Sequence, residues 1–254
     1  AQAISNSFLG LRKLAGTAVG ERAVLSLVPK IKAYRGAVSA KAVSQCFVLL
    51  RGVSDPYLAS HILNSLRHLL GQCNERFRSQ YILHMIQSLS SVGDIKEVHT
   101  LLGRFTYTIE ARLNALTGWT ITVACVWLQK LAYSSEVRDM LRVLASCVEE
   151  CKHFDSSQIC TCLEALSSYL KSQYCLVEIS RLLEAFATRL YDCQDLLPIA
   201  YLRRTMQCLN ELGDTQGVRA LVSALSTKEQ QFARKSRIDI AALMNLFHMG
   251  DSIQ

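Results

Sequence analysis

The chain is poor in the residues that punctuate a fold. Its 254 residues include 3 prolines and 12 glycines, too few for the closely spaced turns of a β-sandwich or barrel. Charged residues make up 19% against 50% hydrophobic, and no low-complexity tract occurs, which excludes an intrinsically disordered chain. Long apolar runs are missing too. The longest stretch without charge or histidine, Leu113 to Gln129, falls short of the roughly 20 residues a bilayer span needs. It also contains Asn114, Thr117, Thr120 and Thr122, so it is expected to be a buried core helix, with no membrane contact. Catalytic signatures are absent: no phosphate-binding glycine loop, no nucleophile elbow, and histidines scattered away from any serine–carboxylate constellation. These absences point to a protein that is no enzyme and takes no cofactor and no small-molecule substrate.

Acid is scarce at one end. Residues 1–54 hold eight basic residues (Arg12, Lys13, Arg22, Lys30, Lys32, Arg35, Lys41, Arg51) and a single acid, Glu21, while basic and acidic residues balance over 55–254. The whole net charge of +7 thus comes from the first fifth. Such a gradient favours contact with a polyanion; a targeting remnant or a plain solvated surface gives the same count. The ten cysteines lie mostly inside apolar stretches, where a thiol acts as a small buried hydrophobe. A reducing compartment follows. Cys147, Cys151 and His153 with Cys160 or Cys162 invite a zinc reading. Cys160 and Cys162 lie about 200° apart on a helix, however, and the spacing matches no common module, so buried thiols and no metal are expected.

A phrase recurs along the chain: an apolar helix, a small residue, then Asp opening a second helix. It appears as Leu50-Arg51-Gly52-Val53-Ser54-Asp55, Leu89-Ser90-Ser91-Val92-Gly93-Asp94, Leu209-Asn210-Glu211-Leu212-Gly213-Asp214 and Leu246-Phe247-His248-Met249-Gly250-Asp251, with degenerate copies at 128–135 and 166–173. The ends of successive copies are 39, 41, 38, 41 and 37 residues apart. Glycine after a helix closes its C-terminus in the left-handed conformation, and Asp then accepts from the free amides of the next helix. Asp94 with Glu97 has capping-box spacing, and Asp55-Pro56 puts proline at the first helical position.

Helical periodicity brackets each joint. Preceding helices, termed A, carry stripes such as Val43/Phe47/Leu50, Ile82/Met85/Leu89 and Val123/Trp127/Leu131; following helices, termed B, carry Leu58/Ile62/Leu66/Leu69 and Val137/Leu141/Leu144/Val148. The fold expected is all-α: an α-solenoid of five to seven stacked helical hairpins with a repeat of about 37–41 residues. Residues 1–37 form a basic N-terminal helical segment, and 38–254 the repeat domain.

From about residue 38 onward, the repeat length and the Leu-x-x-(Leu/Val/Met)-Gly-Asp joint resemble the organellar helical-repeat proteins, the pentatricopeptide, octotricopeptide and heptatricopeptide class. That resemblance implies a mitochondrial (matrix) protein of RNA processing, RNA editing or ribosome assembly, which binds single-stranded RNA, other protein subunits, or both. The joints at 128–135 and 166–173 lack Gly-Asp, and no regular polar code position recurs, which argues against base-by-base reading. A protein–protein scaffold without direct RNA contact is the alternative.

The resemblance also implies that A helices line a concave binding face. The polar positions off their apolar stripes are then the candidates: Lys41, Gln45 and Arg51; Gln80, His84 and Gln87; Arg203, Arg204 and Gln207. Arg12, Lys13, Lys30, Lys32 and Arg35 join them as phosphate contacts. The competing interpretation of each is an ordinary solvated helix face. Trp119 and Trp127 are expected in the core. The last A helix (Ile238, Ala242, Leu246, Met249) has no B partner in the sequence, and another chain or further residues are expected to cover it.

Overall fold

The computed structural model describes residues 2–111, 116–170, 176–193, 195, 199–210, 215–231 and 234. Among these the chain is all-helical, with no strand. The helices are α1 (Gln2–Leu11), α2 (Ala18–Ala33), α3 (Ala40–Phe47), α4 (Pro56–Gln72), α5 (Ser79–Leu89), α6 (Lys96–Glu110), α7 (Gly118–Leu128), α8 (Ser135–Glu150), α9 (Ser156–Leu170), α10 (Leu176–Asp192), α11 (Ile199–Asn210) and α12 (216–231). A 3-10 turn, Val48–Gly52, follows α3.

These helices form six hairpins in two layers. The odd-numbered helices pack in chain order, α1 on α3, α3 on α5, α5 on α7, α7 on α9 and α9 on α11; α2, α4, α6, α8 and α10 do the same in the second layer. Every substantial packing contact joins helices of one hairpin or of adjacent hairpins, the nearest-neighbour arrangement of a helical solenoid. The odd helices are the A layer and the even ones the B layer. One apolar seam runs between the layers from Phe8 to Leu225. The B stripes read from the sequence lie in it: Leu58, Ile62, Leu66 and Leu69 of α4 and Val137, Leu141, Leu144 and Val148 of α8 are all buried.

The joints follow the sequence in part. Asp55 caps α4, accepting from the Tyr57 amide at 3.0 Å and the Leu58 amide at 3.2 Å, with Pro56 at the first helical position. Gly93 takes φ +86° in the turn that follows α5, whose end is closed by the Ser90, Ser91 and Val92 amides bonding to Ile86 O, Ser88 O and Leu89 O. Two details differ. Gly52 is not left-handed; it is glycine because a Cβ there would stand 2.8 Å from the Arg12 carbonyl oxygen. Asp94 does not close a capping box on α6, whose N-cap is Ile95. Its carboxylate accepts instead from the Ala132 amide, 38 residues away, at 3.1 Å, and lies 2.6 Å from His99 Nε2. A carboxylate held by the Ala132 amide and the His99 ring is unavailable to the opening amides of α6.

Such cross-repeat bonds recur on the opposite edge, where B helices turn into A helices. Glu75 Oε2 accepts from the Ala40 amide at the start of α3 (2.8 Å), and Asp195 Oδ2 accepts from the Ser156 amide at the start of α9 (3.0 Å). The last carbonyls of B helices are met in the same way. Tyr34 O accepts from Gln72 Nε2 (2.8 Å), Val148 O from Arg189 Nε (3.0 Å), and Cys193 O from Lys228 Nζ. Free helix ends of one hairpin are therefore satisfied by side chains of the next.

Candidate functional site

The exposed ridge of the A layer is built by strict register. Lys41, Gln80, Trp119 and Gln158 follow one another at intervals of 39 residues, as do Gln45, His84 and Val123. Each falls on α3, α5, α7 or α9 at an equivalent turn. Lys41 and Gln80 are exposed; Gln45, His84, Gln87, Val123, Val126 and Gln158 are half-buried. On α11, Arg204 and Gln207 are exposed. The side chain of Arg203 lies outside the described residues, as do Ile238, Ala242, Leu246 and Met249.

The tryptophans part company. Trp127 is core, edge-on to Phe105 with ring centroids 6.4 Å apart. Trp119 is 54% exposed, which corrects the expectation that both are buried. The reason is geometric: eight residues advance a helix by about 80° beyond two full turns, and Trp119 takes the outward register of Gln80. With Val123 and Val126 at i+4 and i+7, it forms an apolar stripe on the outer side of α7.

The ridge holds almost no positive charge. Helices α5, α7 and α9 contain no lysine or arginine. Arg51 does not supply the lack, because its guanidinium is committed to the next hairpin. Nε donates to Ser88 Oγ at 3.1 Å, and Nη2 to Gln87 Oε1 at 3.0 Å and His84 O at 3.4 Å. The structure thus does bring Arg51, His84 and Gln87 together, as one inter-repeat contact. Desolvation, with the neighbouring Arg12 charge, holds the Arg51 pKa below its ordinary value.

The N-terminal cations divide between opposite edges of the slab. Arg12 and Lys13 lie in the α1–α2 turn, beside Gly52 and Arg51. Lys30 and Lys32 end α2, Arg35 follows it, and Lys41 opens α3. The 16 residues of α2, about 24 Å of helix, separate the two groups. Two arginines that sequence reasoning passed over, Arg76 and Arg78, share the second edge, because the α4–α5 turn stacks on the α2–α3 turn. Tyr34 O lies 3.2 Å from His68 Nε2, Arg35 Nη1 lies 3.1 Å from that same nitrogen, and Ala40 bonds to Glu75. Arg76 and Arg78 follow Arg35 and Lys41 by 41 and 37 residues, so the repeat length was the signal that pointed to them.

Further along this edge, between the α8–α9 and α10–α11 turns, lies a cleft of about 400 Å³ lined by Lys152, His153, Phe154, Asp155, Gln158, Arg189, Asp192, Cys193 and Asp195. Its charged groups serve the fold: Arg189 bonds to Val148 O and Glu149 O and pairs with Asp192, and Asp195 caps Ser156. Cys46, Cys125, Cys147, Cys160 and Cys162 are unbridged thiols, and all five are buried. Desolvation pushes the Cys46 and Cys147 thiols up to about 12 and Cys160 up to about 11. Among the described residues no three His, Cys, Asp or Glu side chains converge as metal ligands, and no helix is long and apolar enough to cross a membrane.

No family model and no curated protein matches the chain. Among solved structures, a de novo designed 16-helix transmembrane nanopore is similar at 13% identity, over 99% of this chain and 72% of that one, with a TM-score of 0.21. A likeness at that score carries no argument about fold or function.

Proposed function

We propose that the chain is a non-catalytic helical-repeat scaffold of an organellar, mitochondrial complex of RNA processing, RNA editing or ribosome assembly, holding a partner protein on its A face and touching RNA through its basic N-terminal hairpins. The observation that supports this division of labour is the cation-free A face of α5, α7 and α9, with Trp119 exposed upon it. RNA affinity rests largely on phosphate neutralisation, which such a surface does not offer. An exposed tryptophan flanked by Val123 and Val126 is instead the kind of anchor that dominates protein interfaces. The matrix is a reducing compartment, in keeping with the buried, unbridged thiols of Cys46, Cys125, Cys147, Cys160 and Cys162, and the acid-poor N-terminal segment and the repeat resemblance favour the organelle.

The second reading, a scaffold without RNA contact, draws on the balanced charge of 55–254. Crosslinking in cells followed by mass spectrometry separates the two. The proposal expects protein adducts on α5, α7 and α9 and RNA adducts confined to the first three hairpins. Recovery of protein adducts alone, with partners that associate with no RNA, overturns the RNA part in favour of the plain scaffold.

A further inference from the structure

We infer that the stacked α2–α3 and α4–α5 turns form a backbone-reading site for single-stranded RNA, composed of Lys30, Lys32, Arg35, Lys41, Arg76 and Arg78. The inference rests on the RNA-associated reading above and gives it a location. All six side chains are exposed, and none forms an ion pair with a described residue. Arg35 donates from Nη1 to Lys32 O at 2.6 Å and Tyr34 O at 3.1 Å, so only its Nε and Nη2 edge is offered to phosphate. The acid within these turns, Glu75, is held at the Ala40 amide and keeps its charge, so with the six cations the patch carries five net positive charges. The helices that carry the turns pack side by side, about 8–10 Å apart, so the cations form one continuous surface rather than two distant sets.

Charge alone does not distinguish RNA from an acidic protein, but the surroundings do. None of the exposed large apolar side chains lies on these two turns; the nearest aromatics, Phe77 and Tyr34, are buried and half-buried. A protein partner would need an apolar anchor there. A nucleic-acid backbone needs none, and half of the six are arginines, whose planar forks match phosphate. Without an aromatic platform for bases, the site reads phosphates and is indifferent to sequence. It also explains how a solenoid whose central A helices lack cations holds RNA: the strand lies along the turn edge, not in the groove. The edge becomes mixed in charge at Lys152, Asp155, Asp192 and Asp195, which bounds the site.

The test is fluorescence anisotropy of a labelled oligouridylate against the full chain at several salt concentrations. The variant Lys32→Gln/Arg76→Gln/Arg78→Gln is expected to weaken binding about tenfold or more near 0.1 M salt and to lower the slope of log K against log salt by about 2, or 0.7 per lost contact. The variant Lys96→Gln/Lys130→Gln, whose exposed lysines lie at the α5–α6 and α7–α8 turns of the opposite edge, is expected to stay within about twofold of the parent. Equal losses in both variants, or an unchanged slope in the first, overturn the site. Tighter binding of a polyglutamate peptide than of oligouridylate overturns the choice of RNA. Circular dichroism monitors folding, and Lys30→Gln/Lys41→Gln provides an independent second variant. RNA adducts recovered from cells but mapping to another surface would sink this site while leaving the proposed function standing.

Discussion

The Ala40 amide donates a 2.8 Å hydrogen bond to Glu75 Oε2, so the first amide of α3 is met by a residue 35 positions later in the chain, while the local cap Ser39 accepts from the Ala42 amide at 3.2 Å. Asp195 treats Ser156 at the start of α9 alike, accepting from both its amide and its hydroxyl. Glu75→Ala is expected to cost about 1 kcal/mol, the ordinary cost of a lost N-terminal cap, read as a fall in the urea midpoint. For Asp195, desolvation is outweighed by the Ser156 hydrogen bonds, and its pKa lies below the ordinary 3.8. A depressed folded pKa contributes stability above the unfolded value that is lost as pH falls through the folded one. The Asp195→Asn penalty at pH 7 is therefore expected to shrink below about pH 4; a constant penalty would remove the carboxylate from the explanation.

Arg51→Met keeps the apolar stem but removes the bonds to Ser88, Gln87 and the His84 carbonyl. A loss of about 1 kcal/mol is expected, with oligouridylate affinity within about twofold of the parent, because this guanidinium serves the fold. A large loss of RNA binding at unchanged stability would return Arg51 to the interface.

Part of this architecture was legible in the sequence for a simple reason. Helix stripes, Asp55-Pro56 and the interval of 37 to 41 residues are local or periodic signals. What escaped was set by contacts one repeat away. Asp94 looks like a cap for its own helix until Ala132, in the next hairpin, takes its carboxylate. Trp119 sits in an apolar run indistinguishable from Trp127 until the stacking of α7 decides which side faces out. Charge summed along the chain ended the basic region near Arg51, whereas folding returns Arg76 and Arg78 to the level of Arg35 and Lys41.

The two tryptophans provide an optical check. Trp119 is expected to emit at longer wavelength and to be quenched by iodide, while Trp127 is shielded. Trp119→Phe should remove most of the quenchable emission and shift the urea midpoint little. Loss of the protein adducts in that variant would tie the stripe to its partner.

Two glycines separate close packing from idle flexibility. A Cβ at Gly217 would stand 2.4 Å from the Ser180 carbonyl oxygen, so Gly217→Ala is expected to force α12 off α10 and cost about 1–3 kcal/mol. At Gly103, within α6, the nearest atom would be Glu136 Cγ at 3.5 Å, an ordinary contact, and Gly103→Ala is expected to gain about 0.5–1 kcal/mol. Denaturant titrations of both variants check the opposite signs.

Buried thiols set an alkaline limit. Desolvation raises Cys46 and Cys147 from 9.0 to about 12. A raised folded pKa leaves stability intact below the unfolded value and erodes it as pH climbs from about 9 toward about 12. Cys147→Ala is expected to flatten that alkaline decline while lowering stability at pH 7; an unchanged pH profile would count against the thiol.

Because α3 and α9 take their first hydrogen-bond acceptors from the hairpin that follows, neither unit is complete when its own residues leave the ribosome. Each waits for about forty more to emerge before its first helical amide is satisfied. Maturation of this molecule is accordingly a relay: a newly made segment finishes the one before it, and a break anywhere unsettles the unit upstream of the lesion as well as the lesion itself.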